Sequence, residues 1–140
     1  MKHFQKILCV LMALALISII PAAAFAVNPN TQTKYSSGSS GDMSIVYSVS
    51  FTISNPTDSA SVGMRAIQKN LTPTFECSKM VVSPKSGASH TYPNVLSSTG
   101  KNTASRTISI GYYNTTASVT AYMSASASGL GSSSIVLTAS

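Results

Sequence analysis

From Ile45 to Ile53 the chain alternates without a break. Ile45, Tyr47, Val49, Phe51 and Ile53 are large and apolar, while Val46, Ser48, Ser50 and Thr52 between them are smaller and mostly polar. A strand sends successive side chains to opposite faces, so this pattern predicts a strand that buries one face and wets the other. A helix would spread the same residues around its circumference. Burying five such side chains contributes on the order of 10 kcal/mol before the entropy of ordering them is counted.

Similar segments follow. Asn55-Pro56-Thr57-Asp58 is turn chemistry, with proline where its fixed φ suits a type I turn. Ala60, Val62, Met64 and Ala66 then alternate with Ser61, Gly63 and Arg65, and the two segments read as a hairpin. A third strand is expected over Thr74 to Val82, with Phe75, Cys77 and Val81 on one face and Lys79 breaking the pattern. Met80 and Val82 lie on the other phase. Ser83-Pro84-Lys85-Ser86-Gly87 is a turn. His90 to Leu96 is at most a short edge strand, because Pro93 has no N–H for a ladder. After a loop at 97–104, Arg106, Ile108, Ile110 and Tyr112 alternate, then Val119, Ala121, Met123, Ala125 and Ala127. Gly129-Leu130-Gly131 is a tight reversal before a last strand from Ile135 to Ala139. The sum is an all-β chain of six or seven strands, an antiparallel β-sandwich, immunoglobulin-like in the loose sense. A small barrel is the alternative. Paired cysteines and a core tryptophan, hallmarks of true immunoglobulin domains, are absent.

The first 26 residues follow a different plan. Lys2 and Lys6 give a positive start, and Ile7 to Ile20 is uncharged and apolar apart from Ser18. These 14 residues would make about 21 Å of helix, short of a bilayer core of about 30 Å and suited to a signal peptide. Pro21 ends the run, and Ala24 and Ala26 occupy the small-residue positions of a cleavage site before Val27. The expected organisation is therefore a helical signal peptide at 1–26, a flexible Ser/Gly-rich leader at 27–42 and a β-sandwich domain at 43–140. The expected location is outside the cell, with membrane contact only through the signal before cleavage.

Cleavage changes the composition. It leaves 114 residues, enough for one modest core, of which 40 are Ser or Thr. Losing two lysines lowers the net side-chain charge from +6 to +4. The remaining cations, Lys34, Arg65, Lys69, Lys79, Lys85, Lys101 and Arg106, are scattered, with only Asp42, Asp58 and Glu76 opposing them. That balance suits an anionic cell-surface polymer better than nucleic acid, for which no basic-aromatic patch is visible. Cys9 goes with the signal, so Cys77 stands alone and no intramolecular disulfide can form. Its phase with Leu71, Phe75 and Val81 reads as a buried apolar position, with an intermolecular disulfide or reactive thiol as the alternative.

Catalytic chemistry is hard to assemble from this inventory. One histidine, His90, and three dispersed carboxylates make neither a nucleophile-base set nor a glycosidase pair. Gly38-Ser39-Ser40-Gly41 lacks the spacing of a nucleophile elbow. No metal-ligand spacing occurs, and no enzyme or cofactor is expected. Binding then rests on exposed tyrosines. Tyr47 and Tyr112 share the core phase, whereas Tyr113 and Tyr122 fall on the opposite phase and are the candidate surface contacts. The expectation is a secreted non-catalytic binding or surface-interaction domain for an extracellular polymer or protein. The alternatives are a bacteriocin- or toxin-like antagonistic factor and a self-assembling surface protein.

Overall fold

In a computed structural model the protein is described over residues 25–54, 56–111 and 115–140. The expected signal helix, with Ala24, lies outside these residues, as do Tyr112 and Tyr113. Eight strands follow in order: β1 (Phe25–Gly38), β2 (Gly41–Ile53), β3 (Ser59–Ala66), β4 (Thr74–Pro84), β5 (His90–Ser98), β6 (Thr103–Ser109), β7 (Thr116–Ala127) and β8 (Gly131–Ala139). They form two antiparallel sheets of four, ordered β1-β2-β3-β6 and β5-β4-β7-β8. The chain changes sheet between β3 and β4, between β5 and β6, and between β6 and β7. No helix occurs among the described residues.

The core lies between the sheets and is built from the alternating positions. On β2, Met43, Ile45, Tyr47, Val49 and Phe51 are buried; on β3, Ala60, Val62, Met64 and Ala66. Val119, Ala121, Met123 and Ala125 of β7 face them with Leu137 and Ala139 of β8. Ile53, expected as the fifth core position of its strand, is only half-buried at the strand's end.

Three expectations need correction. Residues 27–38 are not a flexible leader: they belong to β1, paired along β2 from Val27↔Phe51 to Gly38↔Gly41. The inward phase of β1 holds Asn30, Gln32, Lys34 and Ser36, opposite Val49, Tyr47, Ile45 and Met43. Both phases are polar, so hydrophobic periodicity carries no sign of the strand; backbone pairing with β2 forms it. Two of the inward side chains reach the other sheet, where Asn30 Nδ2 donates to the Thr138 carbonyl at 2.9 Å and Ser36 Oγ to the Leu130 carbonyl at 3.1 Å.

The second correction concerns β4. Phase shifts between Cys77 and Lys79, where Ser78 is an extra residue against β7 and faces two residues, Asn94 and Val95, across β5. Phe75 and Cys77 are buried before it, Met80 and Val82 after it, and Val81 turns to the outer face. One extra residue in a strand re-aims everything beyond it. The third is the strand count, eight against six or seven. The added members are β1 and the stretch from His90, which is a full nine-residue edge strand containing Pro93.

Hairpin ends lock the sheets together. Ser39 and Ser40 join β1 to β2, and Ser40 N donates to the Gly129 carbonyl at 2.7 Å in the β7–β8 turn. A side chain at Gly38 would collide with that turn's backbone, at 2.7 Å from the Leu130 carbonyl carbon. Glycine is required there by close approach.

Candidate functional site

The outer face of the second sheet carries Lys79, Glu76 and Tyr122 among hydroxyl side chains. Its outward positions line up in rows across the strands. Thr91, Val81, Thr120 and Thr138 make one row; Pro93, Lys79, Tyr122 and Val136 the next; Ser97, Glu76, Ser124 and Ser134 a third. Hydroxyls dominate except in the middle row. There the Lys79 ammonium stands over the Tyr122 ring, 4.3 Å from its centroid, a favourable contact with the ring's negative face. Val136, on the other side of Tyr122, is 54% exposed.

The β4 bulge builds this arrangement. Because Ser78 is the extra residue, Lys79 comes opposite Tyr122 and points outward with it. Ser78 Oγ also donates to the Tyr122 carbonyl at 3.4 Å. Between Tyr122 and β8 runs an open groove of about 400 Å³, lined by Ser78, Tyr122, Ser124, Ser134, Ile135 and Val136, with Met123 at its floor. A ring, an aliphatic side chain, a cation and a fringe of hydroxyls can hold a ligand that is apolar on its face and polar at its rim.

Of the two tyrosines singled out from sequence, Tyr122 stands at the centre of this face, half-buried. Tyr113 lies outside the described residues. Lys79, Ser78 and Val136 were missed as site residues, though the interruption of alternation at Lys79 was the trace of the bulge. Ala26 and Val27, flanking the expected cleavage point, lie in β1 opposite Thr52 and Phe51.

The titratable groups take other roles. Asp58 is completely buried and accepts from Ser54 N (3.2 Å), Thr116 N (3.2 Å) and Thr116 Oγ1 (2.7 Å). It ties the β2–β3 turn to the start of β7. Asp42 is the second residue of β2 in the first sheet, and Glu76 is exposed on the second sheet's outer face. His90 is exposed at the start of β5. No three His, Cys, Asp or Glu side chains among the described residues stand close enough to hold a metal ion. Cys77 is buried, and burial pushes its thiol up to about 11. Tyr47 is buried too, its hydroxyl bonded to Ser133 Oγ at 2.5 Å; burial raises its pKa above the usual tyrosine value.

Comparison with protein families, curated proteins and solved structures gives no match to this chain.

Proposed function

We propose that the chain is exported by its N-terminal signal, cut between Ala26 and Val27, and works outside the cell as a non-catalytic binding domain. In this reading the two packed sheets form a sandwich that is immunoglobulin-like in the loose sense, with an extracellular polymer as ligand. The observation that carries it is the Lys79–Tyr122–Val136 row, an amphipathic stripe flanked by rows made mostly of Ser and Thr. The dispersal of Asp42, Asp58, Glu76 and His90 over different parts of the molecule supports binding over catalysis. The test is retention of the secreted protein on isolated cell walls, immobilised glycans and anionic liposomes at low salt. Retention by at least one of them, lowered by Tyr122→Ala, is the expected result. Failure to bind any of them overturns the reading.

The self-assembling alternative loses support from the sheet edges. Lys34 on β1 and Arg106 on β6 occupy inward-phase positions of edge strands, opposite Ile45 and Val62. Pro93 interrupts the donors of β5, and Asn30 and Ser36 bond to backbone carbonyls on the β8 side. Such devices oppose strand addition.

A further inference from the structure

We infer that the outer face of the second sheet takes a linear polysaccharide bearing carboxylates, a uronic-acid chain, lying across the strands along the Lys79–Tyr122–Val136 row. The inference rests on the binding function proposed above and narrows it to one ligand class.

Direction comes from the sheet. Neighbouring strands are about 4.8 Å apart, close to the length of one pyranose residue, and the row runs perpendicular to them over β5, β4, β7 and β8. A sugar chain laid along it places successive rings over successive strands. The C–H face of one ring packs on Tyr122 and Val136, which present apolar surface side by side. Hydroxyls at the ring edges meet Ser124 and Ser134 on one flank and Thr120 and Thr138 on the other. Thr120 Oγ1 and Thr138 Oγ1 already bond each other at 2.8 Å, so that flank is ordered before a ligand arrives.

Charge selects the acidic sugar. Lys79 is the cation of the row, and its flexible stem lets the ammonium keep Tyr122 while donating to a carboxylate. Glu76 is the opposing charge on this face, one row away, and steers a carboxylate toward the Val81 side of Lys79. Over the mature chain all seven cations are exposed, while burial of Asp58 leaves only Asp42 and Glu76 as exposed side-chain carboxylates. The field around the molecule therefore attracts a polyanion. No arginine fork is available on this face to clamp either a carboxylate or a phosphate, so the sugar-ring contact with Tyr122 and Val136 is what favours a carboxylated glycan over a polyphosphate. Arg65 and Arg106 belong to the other sheet. A lipid surface would need a wider apolar patch than Tyr122 and Val136 provide.

The experiment measures binding of the secreted protein to galacturonan oligomers, to the same oligomers methyl-esterified, and to inorganic polyphosphate. Circular dichroism melts serve as the fold control for each variant. Wild-type protein is expected to bind galacturonan at least about tenfold more tightly than the ester. Tyr122→Ala should weaken galacturonan binding about tenfold and Lys79→Gln about threefold, and Lys79→Gln should narrow the difference between acid and ester. Equal binding of acid and ester through Tyr122 overturns the inference and leaves the binding function standing. Equal binding of polyphosphate, insensitive to Tyr122→Ala, overturns it in favour of charge alone. Failure of galacturonan to bind overturns it as well, whereas loss of retention on every cell-surface material would strike at the proposed function itself.

Discussion

Single residues in this molecule gain their meaning from what surrounds them, and Asp58 is the clearest case. As one of three acids in the mature chain it reads as a candidate for chemistry, yet it is a buried acceptor for three donors. Replacing it with alanine strands those donors in the interior. Asp58→Ala is expected to cost about 3 kcal/mol, and Thr116→Val, which removes one donor, about 1 kcal/mol; urea unfolding checks both. Cys77 gives a pH signature. Its thiol titrates near 9 when exposed and at about 11 in the fold, so the folded state keeps a proton that the unfolded chain releases. Stability from this group is full below about pH 9 and falls between about 9 and 11, by at most about 2–3 kcal/mol. Cys77→Ala should flatten that part of the stability–pH curve, measured by urea midpoints from pH 8 to 11. Tyr47, raised in the same direction, keeps a residual slope at the alkaline end.

Elements differ in how openly they announce themselves. β2, β3 and β7 were legible because a buried face and a wet face force alternation on the sequence. β1 was not, since its inward phase is Asn30, Gln32, Lys34 and Ser36 and its strand character comes from the partner's backbone. β4 was half legible: Phe75 and Cys77 fixed one phase, Met80 and Val82 another, and only the register shows that Ser78 joins them. The site inherited the same limit. Tyr122 could be picked out by phase, but its neighbours Lys79 and Val136 lie 43 and 14 positions away, and no local pattern brings them together. The edges offer a prediction at this scale. Exchanging the inward-phase cations in a Lys34→Val/Arg106→Val double variant removes two obstacles to strand addition. Sedimentation velocity should find the variant self-associating at concentrations where the parent stays monomeric.

At the scale of the molecule, two sheets act as one body because their ends and edges are tied. Tyr47 reaches Ser133, Asn30 and Ser36 reach the β8 side, and the two hairpin turns meet backbone to backbone. At Gly38 the two turns approach too closely to admit a side chain. Gly38→Ala is expected to lower stability by about 1–3 kcal/mol through overpacking, while Ser39→Ala next to it stays within about 0.5 kcal/mol; thermal melts of both distinguish a clasp from a loose turn.

The pairing of Ala26 with Thr52 and of Val27 with Phe51 imposes an order of events on the proposed export. A peptidase must take the bond between Ala26 and Val27 as a free extended segment, and in the folded, uncut chain that segment is already occupied by β2. Cutting therefore comes first and zipping second, so a chain that matured too early in the cytoplasm would be closed to both the translocation channel and the peptidase. A β1 whose inward phase is Asn30, Gln32, Lys34 and Ser36 has little apolar surface to drive early zipping, which suits that order.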